Sequence, residues 1–376
     1  MGVVQRSMAI GAATIIGAWA LVIATAPEAA PALGCPTPDS SHFEVTNNLD
    51  TLAPPASSLR AAFAAATTNN GGTICIDQGV GTITLVGPLD YTGSGALTIE
   101  GNGAIVTGNN TFEIMRAIGH AVTVRDITIS HGLSTTLDHS GGLSAGSVVA
   151  IDSTFTFNSS PGLFGIGGAI VALPGPITVT GSEFNNNSSG LQGGAIFANV
   201  GPVTVTNSTF DTNPALEGSI TSGGDITLRL VTMVGTSVFP ASGQLRLYGT
   251  VIVDGSPNCL SGDNAPLSLG YNYSDDTTCN LVLATDNQNV ANDPMLAALA
   301  NNGGPTATRL PQTGSPLIDA ITPLVAGQCP SEPTPLVTTD QRGLTRPSGP
   351  GCEIGALEIQ VAAPAAPVTG PIALTG

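Results

Sequence analysis

Short segments in which apolar residues alternate with threonine or arginine recur through the middle of the chain. Val122 and Val124, and likewise Ile177 and Val179, occupy the first and third positions of two such segments. The second and fourth positions are mostly threonine or arginine. Alternation with a period of two buries one face of a strand and leaves the other in water. The pattern therefore predicts a series of short β-strands, each with one buried face.

The strand segments belong to a longer repeat. Residues 167–187 recur as residues 193–213, an offset of 26, with matching glycine, aliphatic, phenylalanine and asparagine positions. Successive offsets of 25, 26, 29, 26, 23 and 19 residues define seven coils, which start at Leu97, Val122, Val148, Ile177, Val203, Ile226 and Leu245. These offsets are too short for a crossover helix but accommodate two or three short strands with their turns. The sequence therefore predicts an all-β fold, a parallel β-helix.

Most coils also carry a large apolar residue seven places after the first strand position, which is the wrong parity for a straight strand. A bend must return this residue to the interior, and Gly181, Asn207 and Gly249 lie where the bend is expected. Two sets of equivalent residues should then stack along the rod. They are the phenylalanines Phe155, Phe184 and Phe210 inside it, and the asparagines Asn158, Asn187 and Asn213 as an amide ladder in a turn.

The chain before the repeats is predicted to close one end of the rod. Ser57 and Ser58 can cap a short helix in which Leu59, Phe63 and Ala66 share one face, so this helix should cover the N-terminal coil. The predicted division of the chain is a signal peptide at 1–32, an N-terminal cap at 33–82, β-helix repeats at 83–254, a C-terminal region at 255–359 and an Ala/Pro-rich tail at 360–376.

The N-terminus has the features of a secretory signal peptide. Arg6 precedes an uncharged stretch at residues 9–24, and Ala30, Pro31 and Ala32 provide a small-x-small cleavage site. As a helix the uncharged stretch is about 24 Å long, which is short for a bilayer core of about 30 Å. We therefore expect export with cleavage. The mature chain should have no membrane span and should be secreted or held at the cell surface.

The surface is predicted to be acidic and poor in charge. The 376 residues include 26 aspartate and glutamate residues and nine arginines, with no lysine, which gives a net charge of −17. This charge makes nucleic acid and anionic membranes unfavourable partners. A surface glycan or a protein ligand stays open as the partner, and we expect a monomer.

The six cysteines are expected to form disulfides in an exported chain, because their number is even. Six cysteines allow 15 pairings, and their clustering along the chain favours the local ones: Cys35 with Cys75, Cys259 with Cys279, and Cys329 with Cys352. None has CxxC spacing, and the histidines are not near them in sequence. Zinc binding and redox chemistry are therefore not expected.

Several phrases resemble known bacterial surface proteins. HFEVTNNLD, SSLRAAFAAA and TICID resemble the N-terminal module of secreted β-helix proteins, and the GGAI and FxxN repeats resemble those of polymorphic outer membrane proteins. GYNYSDDTTC, NDPMLAALANNGGPTATRLPQTGSPLIDA and TDQRGLTRPSGPGCEIGALE resemble the choice-of-anchor Q domain. The resemblance implies a right-handed parallel β-helix that is exported and held at the surface. Residues 359–376 contain no recognised anchor, so release into the medium is equally compatible with the sequence.

Parallel β-helices also include polysaccharide lyases and hydrolases, which use clustered carboxylates and a basic residue. Asp275 and Asp276 resemble the adjacent aspartates of polygalacturonase-type sites, but their context predicts a turn beside a disulfide, with structural calcium as the one cofactor to consider. Arg125 beside Asp126 is expected to be a solvated pair, and Arg229 and Arg246 lie at outward positions of other coils.

The histidines provide only a weak signal for catalysis or metal binding. His120, His131 and His139 fall in one stretch, and His131 and His139 approach each other if the turn between them is long. The run Asp138, His139, Ser140 is not expected to be a triad, because triad members are neighbours in space and seldom consecutive in sequence.

The sequence therefore favours an exported, non-enzymatic β-helix protein for surface display, adhesion or envelope structure. A polysaccharide lyase or glycoside hydrolase is the alternative. The two differ in whether charged groups converge in one groove of the folded chain, which the sequence does not reveal.

Overall fold

The computed structural model describes residue 35 and residues 41–260, 262–288, 293–324, 328–329 and 336–361. It is a parallel β-helix of about eight turns with a short N-terminal helix and a disulfide-bearing C-terminal region, which confirms the predicted fold class. The predicted signal peptide and most of the predicted tail lie outside the described residues.

The elements are short and follow one another closely. The N-terminal part contains β1 His42–Val45, α1 Leu59–Thr68, β2 Gly72–Ile76, β3 Thr82–Thr84 and β4 Leu89–Asp90. Three longer strands follow: β5 Leu97–Thr107, β6 Met115–Ser130 and β7 Leu143–Ile151. The next coils contain β8 Thr154–Thr156, β9 Ser159–Ser160, β10 Ile170–Ala172, β11 Ile177–Thr180, β12 Glu183–Asn185, β13 Ser188–Ser189, β14 Ile196–Ala198, β15 Val203–Thr206 and β16 Thr209–Asp211. The last coils contain β17 Ile220–Ser222, β18 Ile226–Arg229, β19 Thr232–Val234, β20 Val238–Pro240, β21 Leu245–Tyr248, β22 Val251–Val253, β23 Leu267–Ser268, β24 Tyr273–Ser274 and β25 Asn287–Gln288.

Parallel pairing between coils builds three faces. Face 1 contains β4, the first parts of β6 and β7, and β10, β14, β17 and β20. Face 2 contains β1, β2, the first part of β5, the middle of β6, the end of β7, and β11, β15, β18, β21 and β23. Face 3 contains β3, the ends of β5 and β6, and β8, β12, β16, β19, β22, β24 and β25.

The core is a column of inward side chains between the three faces. In β11, Ile177 and Val179 are fully buried while Thr178 and Thr180 are exposed, as alternation requires. Phe155, Phe184 and Phe210 are fully buried in face 3. Their rings stack with centroids 4.8 and 4.6 Å apart and are parallel to within 4°.

A second stack of equivalent residues follows face 3. The side-chain amide of Asn158 donates to Asn187 at 3.0 Å, and that of Asn187 donates to Asn213 at 2.9 Å. The Asn187 amide also donates to the carbonyl of Phe155, so the ladder connects side chains to the main chain of the preceding coil. All three asparagines are buried, and their amide groups are satisfied inside the protein.

The bend between faces 2 and 3 uses one left-handed residue per coil. Gly181, Asn207 and Gly249 adopt φ values of 63°, 45° and 56°, and Leu230 adopts the same conformation without being glycine. At Gly181 a Cβ atom would lie 2.1 Å from Oδ1 of Asp152, so both the conformation and the space favour glycine there.

The N-terminal end of the column is covered by α1. The Ser58 side chain caps the helix by accepting from the amide of Ala61. Leu59, Phe63 and Ala66 are buried and belong to the main core cluster. The helix therefore provides apolar cover for the first coil, which an uncapped solenoid would expose.

The described residues between 293 and 361, here called the C-terminal flank, lie along the outside of the rod. Thr306 donates to the carbonyl of Gly181, Thr209 donates to the side chain of Gln341, and the amide of Ala356 donates to Thr232. Outward residues of face 3 are buried beneath the flank in a second apolar cluster that includes Val234, Val251, Val253, Tyr273, Leu317, Ile321 and Ile354. The flank thus covers the later coils on one side.

The interior of the flank is ionic. Arg346 is almost entirely buried, and its Nε lies 3.3 Å from a carboxylate oxygen of Glu358. Arg342 contacts Asp340 at 2.7 Å. Burial, and then the neighbouring Glu358, raise the pKa of Glu353 to about 9. Two arginines are therefore balanced by two carboxylates, while the third carboxyl group keeps its proton.

All three local disulfides are present, which confirms the predicted pairing. The Cα–Cα distances are 5.6 Å for Cys35 and Cys75, 5.0 Å for Cys259 and Cys279, and 5.9 Å for Cys329 and Cys352. The second bridge joins the last coils, and the third lies in the C-terminal flank. In the part of the chain that the structure describes, no helix is long and apolar enough to span a membrane.

Candidate ligand-binding groove

Asp275 and Asp276, the aspartates that resemble a hydrolase pair, lie in a turn and accept hydrogen bonds from their surroundings. Asp275 accepts from the amide of Asp254 and from the side chain of Asn258. Asp276 accepts from the amide of Asn258 and from Thr278. Burial raises the pKa of Asp276, but these hydrogen bonds outweigh it and hold the pKa below its ordinary value. The arrangement is that of a turn beside the Cys259–Cys279 bridge, and structural calcium stays a prediction.

The three neighbouring histidines are separated in the fold. His120 contacts the ring of Tyr91 edge-on, and His131 stacks on Phe157 with centroids 5.1 Å apart. His139 instead pairs with a carboxylate, as described below. Across the described ranges, no group of three or more His, Cys, Asp or Glu residues is placed to hold a metal ion.

The charged residues at the corner of faces 2 and 3 pair across coils. The Arg125 guanidinium lies 3.4 Å from Glu100 of the preceding coil, because the register aligns these two residues. The expected pairing of Arg125 with its sequence neighbour Asp126 is not the ion pair that forms. Burial, and then the charge of Asp126, raise the pKa of Asp152 to about 6. Arg246 pairs with Asp225 at 2.6 Å and Arg229 is buried, so the three arginines do not converge.

Face 1 carries a polar cluster that the sequence analysis missed. Arg116 contacts Asp90 at 2.7 Å and Glu113 at 3.2 Å, and Nδ1 of His139 lies 2.9 Å from Glu113. Glu113 is buried, so its carboxylate orients both neighbours. Asp90 and Arg116 are 26 residues apart, and so are Glu113 and His139. The repeat offset could therefore have revealed both pairs.

Beyond this cluster, face 1 becomes apolar. The register places Ser144, Val171, Phe197 and Thr221 in one outward row. Val171 and Phe197 pack with Ile166 in a cluster separate from the core, which forms the floor of an open groove. The groove encloses a cavity of about 420 Å³ lined by Asp138, Phe164, Ile166, Leu173, Leu191, Gln192, Phe197 and Asn199.

Phe164 and Leu191 line the groove, and the loops of successive coils that adjoin it present further apolar side chains to solvent. Leu137, Leu163, Phe164 and Leu216 are 64, 86, 68 and 73% exposed, respectively. Single parallel bridges join these loops, and the side chain of Gln192 donates to Glu217 of the next coil at 2.6 Å. Exposed apolar side chains on an ordered surface are typical of an interaction site.

The GGAI motifs position these loops. A Cβ atom on Gly168 would lie 2.2 Å from the carbonyl oxygen of Gly194, its equivalent one coil later. The second glycine of the motif therefore permits close approach of neighbouring loops just before each strand of face 1. No helix follows the motif, in agreement with a turn rather than a phosphate-binding loop.

Comparison with known proteins adds little beyond the fold. A scan against protein-family models finds no match for this chain. A search of curated proteins finds no match either. The crystal structure of Jun a 1, the major allergen from cedar pollen, is 16% identical, and the match covers 61% of this chain and 71% of that chain with a TM-score of 0.31. A likeness at this level concerns the fold alone, and its TM-score is too low to support an argument about function.

The groove has the chemistry of a binding site more than that of a reaction centre. Its floor is apolar, and its lining includes one carboxylate and two side-chain amides that can orient a ligand. The nearest acid–base pair, Glu113 with His139, lies at one end of the same face. This pair could move a proton, whereas the groove itself offers shape, apolar contact and hydrogen bonds.

Proposed function

We propose that this chain is an exported, non-enzymatic β-helix protein for adhesion at the cell surface, and that the groove on face 1 holds its ligand. The observation that carries this proposal is the groove itself, an apolar floor with the exposed ring of Phe164 beside it and further exposed leucines in the adjoining loops. Exposed apolar side chains are costly in water, so a partner that covers them gains free energy.

Export is supported by the cysteine chemistry. All six cysteines are paired in three disulfides, and such bonds persist in oxidising compartments outside the cytosol. The signal peptide proposed at residues 1–32 provides the route. A monomer is proposed as the working form, because each coil is completed within one chain.

We also propose which protein families the coils and the C-terminal region resemble. The coils resemble the repeats of polymorphic outer membrane proteins, and we propose that their GGAI glycines allow close contact between neighbouring coils. The C-terminal region resembles the choice-of-anchor Q domain. The division at residues 32, 82, 254 and 359 is retained on that basis. Parallel pairing continues as far as β25, so the last coils fall within the proposed C-terminal region.

A polysaccharide lyase or hydrolase is the second candidate, and the polar cluster of face 1 is the observation that favours it. Glu113 holds His139 through Nδ1, an arrangement that suits a general base, and Arg116 lies beside them. However, Arg116 already contacts two carboxylates, which reduces its attraction for an anionic sugar. The adhesion function is therefore the better supported of the two.

The test separates binding from turnover. The chain without residues 1–32 is incubated with pectin, alginate and neutral glycans, and unsaturated products or new reducing ends are measured. We expect no release of either. Product that is formed by the wild type and lost in His139→Ala would replace the adhesion proposal with the enzymatic one. In parallel, the same chain on beads should adhere to surfaces of cells from its environment, and Phe164→Ser should reduce adhesion.

A further inference from the structure

The groove also indicates the chemistry of its partner, an inference that rests on the proposed function. We propose that it binds an extended polypeptide segment in which an apolar side chain lies next to a basic residue. The apolar side chain fills the cavity of face 1, and the basic residue faces Asp138.

The floor of the groove is formed before any partner binds. Ile166 and Phe197 are only 7 and 9% exposed, so the floor is packed and mostly desolvated before any partner arrives. Phe164, at 68% exposed, also lines the cavity and can close over an inserted side chain. A preformed, partly open cavity of about 420 Å³, lined by apolar and polar groups in similar measure, is at the small end of ligand pockets and suits one or two side chains.

The charge of the groove favours a basic partner. Asp138 is exposed, and within the described ranges it has no hydrogen-bond or ion-pair partner. No arginine lines the cavity, and the whole chain has a net charge of −17 without a single lysine. A cation is therefore attracted to this end of the groove, and an anionic polymer is repelled.

The polar groups of the cavity favour a polypeptide over a glycan. A sugar carries hydroxyl groups around its ring, and each buried hydroxyl without a hydrogen bond costs free energy. Among the described residues that line the cavity, three of eight have polar side chains, Asp138, Gln192 and Asn199, and Gln192 already bonds to Glu217. Two side-chain amides suit the alternating carbonyl and amide groups of a peptide backbone, while the apolar floor suits its side chains.

The length of the outward row on face 1 sets the length of the bound segment. The outward residues Ser144, Val171, Phe197 and Thr221 belong to four adjacent strands, which spans about 14 Å at a strand spacing near 4.8 Å. An extended chain covers this distance in about four or five residues. The recognised segment is therefore short, with one apolar anchor and one basic residue within it.

The experiment uses a display library of random octapeptides, selected against the chain without residues 1–32, and a panel of neutral and anionic oligosaccharides. Enriched peptides should combine Phe, Leu or Ile with Lys or Arg. Asp138→Asn should weaken a selected peptide about two- to fivefold, the range for one exposed ion pair. Phe164→Ser should weaken it about tenfold or more.

Matched controls show whether the groove is responsible. Asp263→Asn makes the same charge change at an exposed residue several coils away, and Phe157→Ser removes another exposed ring outside the groove. Neither should alter peptide affinity, and melting curves should show that all four variants are folded. Affinity for the selected peptide should also fall as salt concentration rises.

The outcomes are distinct. Enriched peptides without a basic residue, or no enrichment at all, would overturn the proposed partner. Binding of a glycan that Phe164→Ser abolishes would also overturn it, but would leave the adhesive groove in place. Adhesion of the chain to cells that is unchanged by Phe164→Ser would overturn both the partner and the groove.

Discussion

Inside the coils, equivalent residues contact each other at every turn, whereas the C-terminal flank depends on contacts between residues with no equivalent elsewhere. Phe155, Phe184 and Phe210 stack on one another, and the asparagine ladder beside them repeats the same bonds. In the flank, Arg346 meets Glu358, and Arg309 reaches Asp211 of face 3. A repeated contact stabilises each coil in which it occurs, whereas a single contact stabilises only the two segments that it joins.

The stability of the two regions should depend on pH over different ranges. The coils contain a partly buried carboxyl group whose pKa is raised to about 6, that of Asp152, so their share of pH-dependent stability is lost as the pH rises towards 6 and changes little above it. The flank contains a buried carboxyl group whose proton is held by its surroundings, so its stability should change with pH. The four predictions below test this difference, from the largest to the smallest effect expected near pH 4.5.

Replacing the middle ring of the stack should be the most damaging change. Phe184→Ala removes a fully buried ring that contacts another ring on each side, and should lower the free energy of unfolding by about 3–5 kcal/mol. Phe164→Ala, which truncates an exposed ring, should cost about 0.5 kcal/mol or less. Denaturant unfolding compares the two, and equal losses would show that the stack has no special role.

Opening the disulfide of the flank should loosen the flank and leave the coils intact. The bridge between Cys329 and Cys352 closes a sequence separation of 23, which corresponds to about 3 kcal/mol. In the double variant Cys329→Ser/Cys352→Ser, the amide of Ile321, which bonds to Cys352, should lose protection from hydrogen exchange. The amide of Ile177 should keep its protection. A uniform loss along the whole chain would mean that flank and coils unfold as one unit.

Removing one step of the amide ladder should have an intermediate effect. Asn187→Ala removes the acceptor of the main-chain amide of Asn158, one of the two acceptors of its side-chain amide, and a donor to the carbonyl of Phe155, at a cost of about 2 kcal/mol. Asn186→Ala, an adjacent asparagine that is exposed, serves as the control and should be close to neutral. Thermal unfolding at one pH is sufficient, and a loss below that of the control would rule out a stabilising ladder.

The effect that is smallest near pH 4.5, and that grows as the pH rises, concerns Glu353. Its pKa is raised to about 9 in the folded chain, from an ordinary value of 4.5. The folded state therefore keeps a proton that the unfolded state loses. The corresponding stability is complete below about pH 4.5 and is lost as the pH rises towards 9, by at most about 1.4 kcal/mol per pH unit.

Glu353→Gln should remove this dependence, since the amide stays neutral. The variant should match the wild type near pH 4.5 and become more stable than it at pH 8. Denaturant titrations at several pH values measure both slopes. Parallel slopes would show that the proton on Glu353 does not control the stability of the flank.

The coils could be predicted because their contacts are between like residues. An offset of 26 aligns phenylalanine with phenylalanine and asparagine with asparagine, which is visible as self-similarity. The same offset separates Asp90 from Arg116 and Glu113 from His139. Pairs of different residue types do not show as similarity between one coil and the next. The polar cluster of face 1 was therefore missed even though the spacing contained it.

The sequence by itself determined the architecture, the inward residues and the three disulfides. Alternation and repeat length restrict a chain to few folds, and each cysteine pairs with the nearest one along the chain, 20 to 40 residues away. Tertiary structure alone decided the groove and the flank. Asp138 and Phe164 belong to loops of different coils, so they line one cavity only after the coils have stacked. Arg309 and Asp211 are 98 residues apart with no shared period, and only the folded rod brings them together.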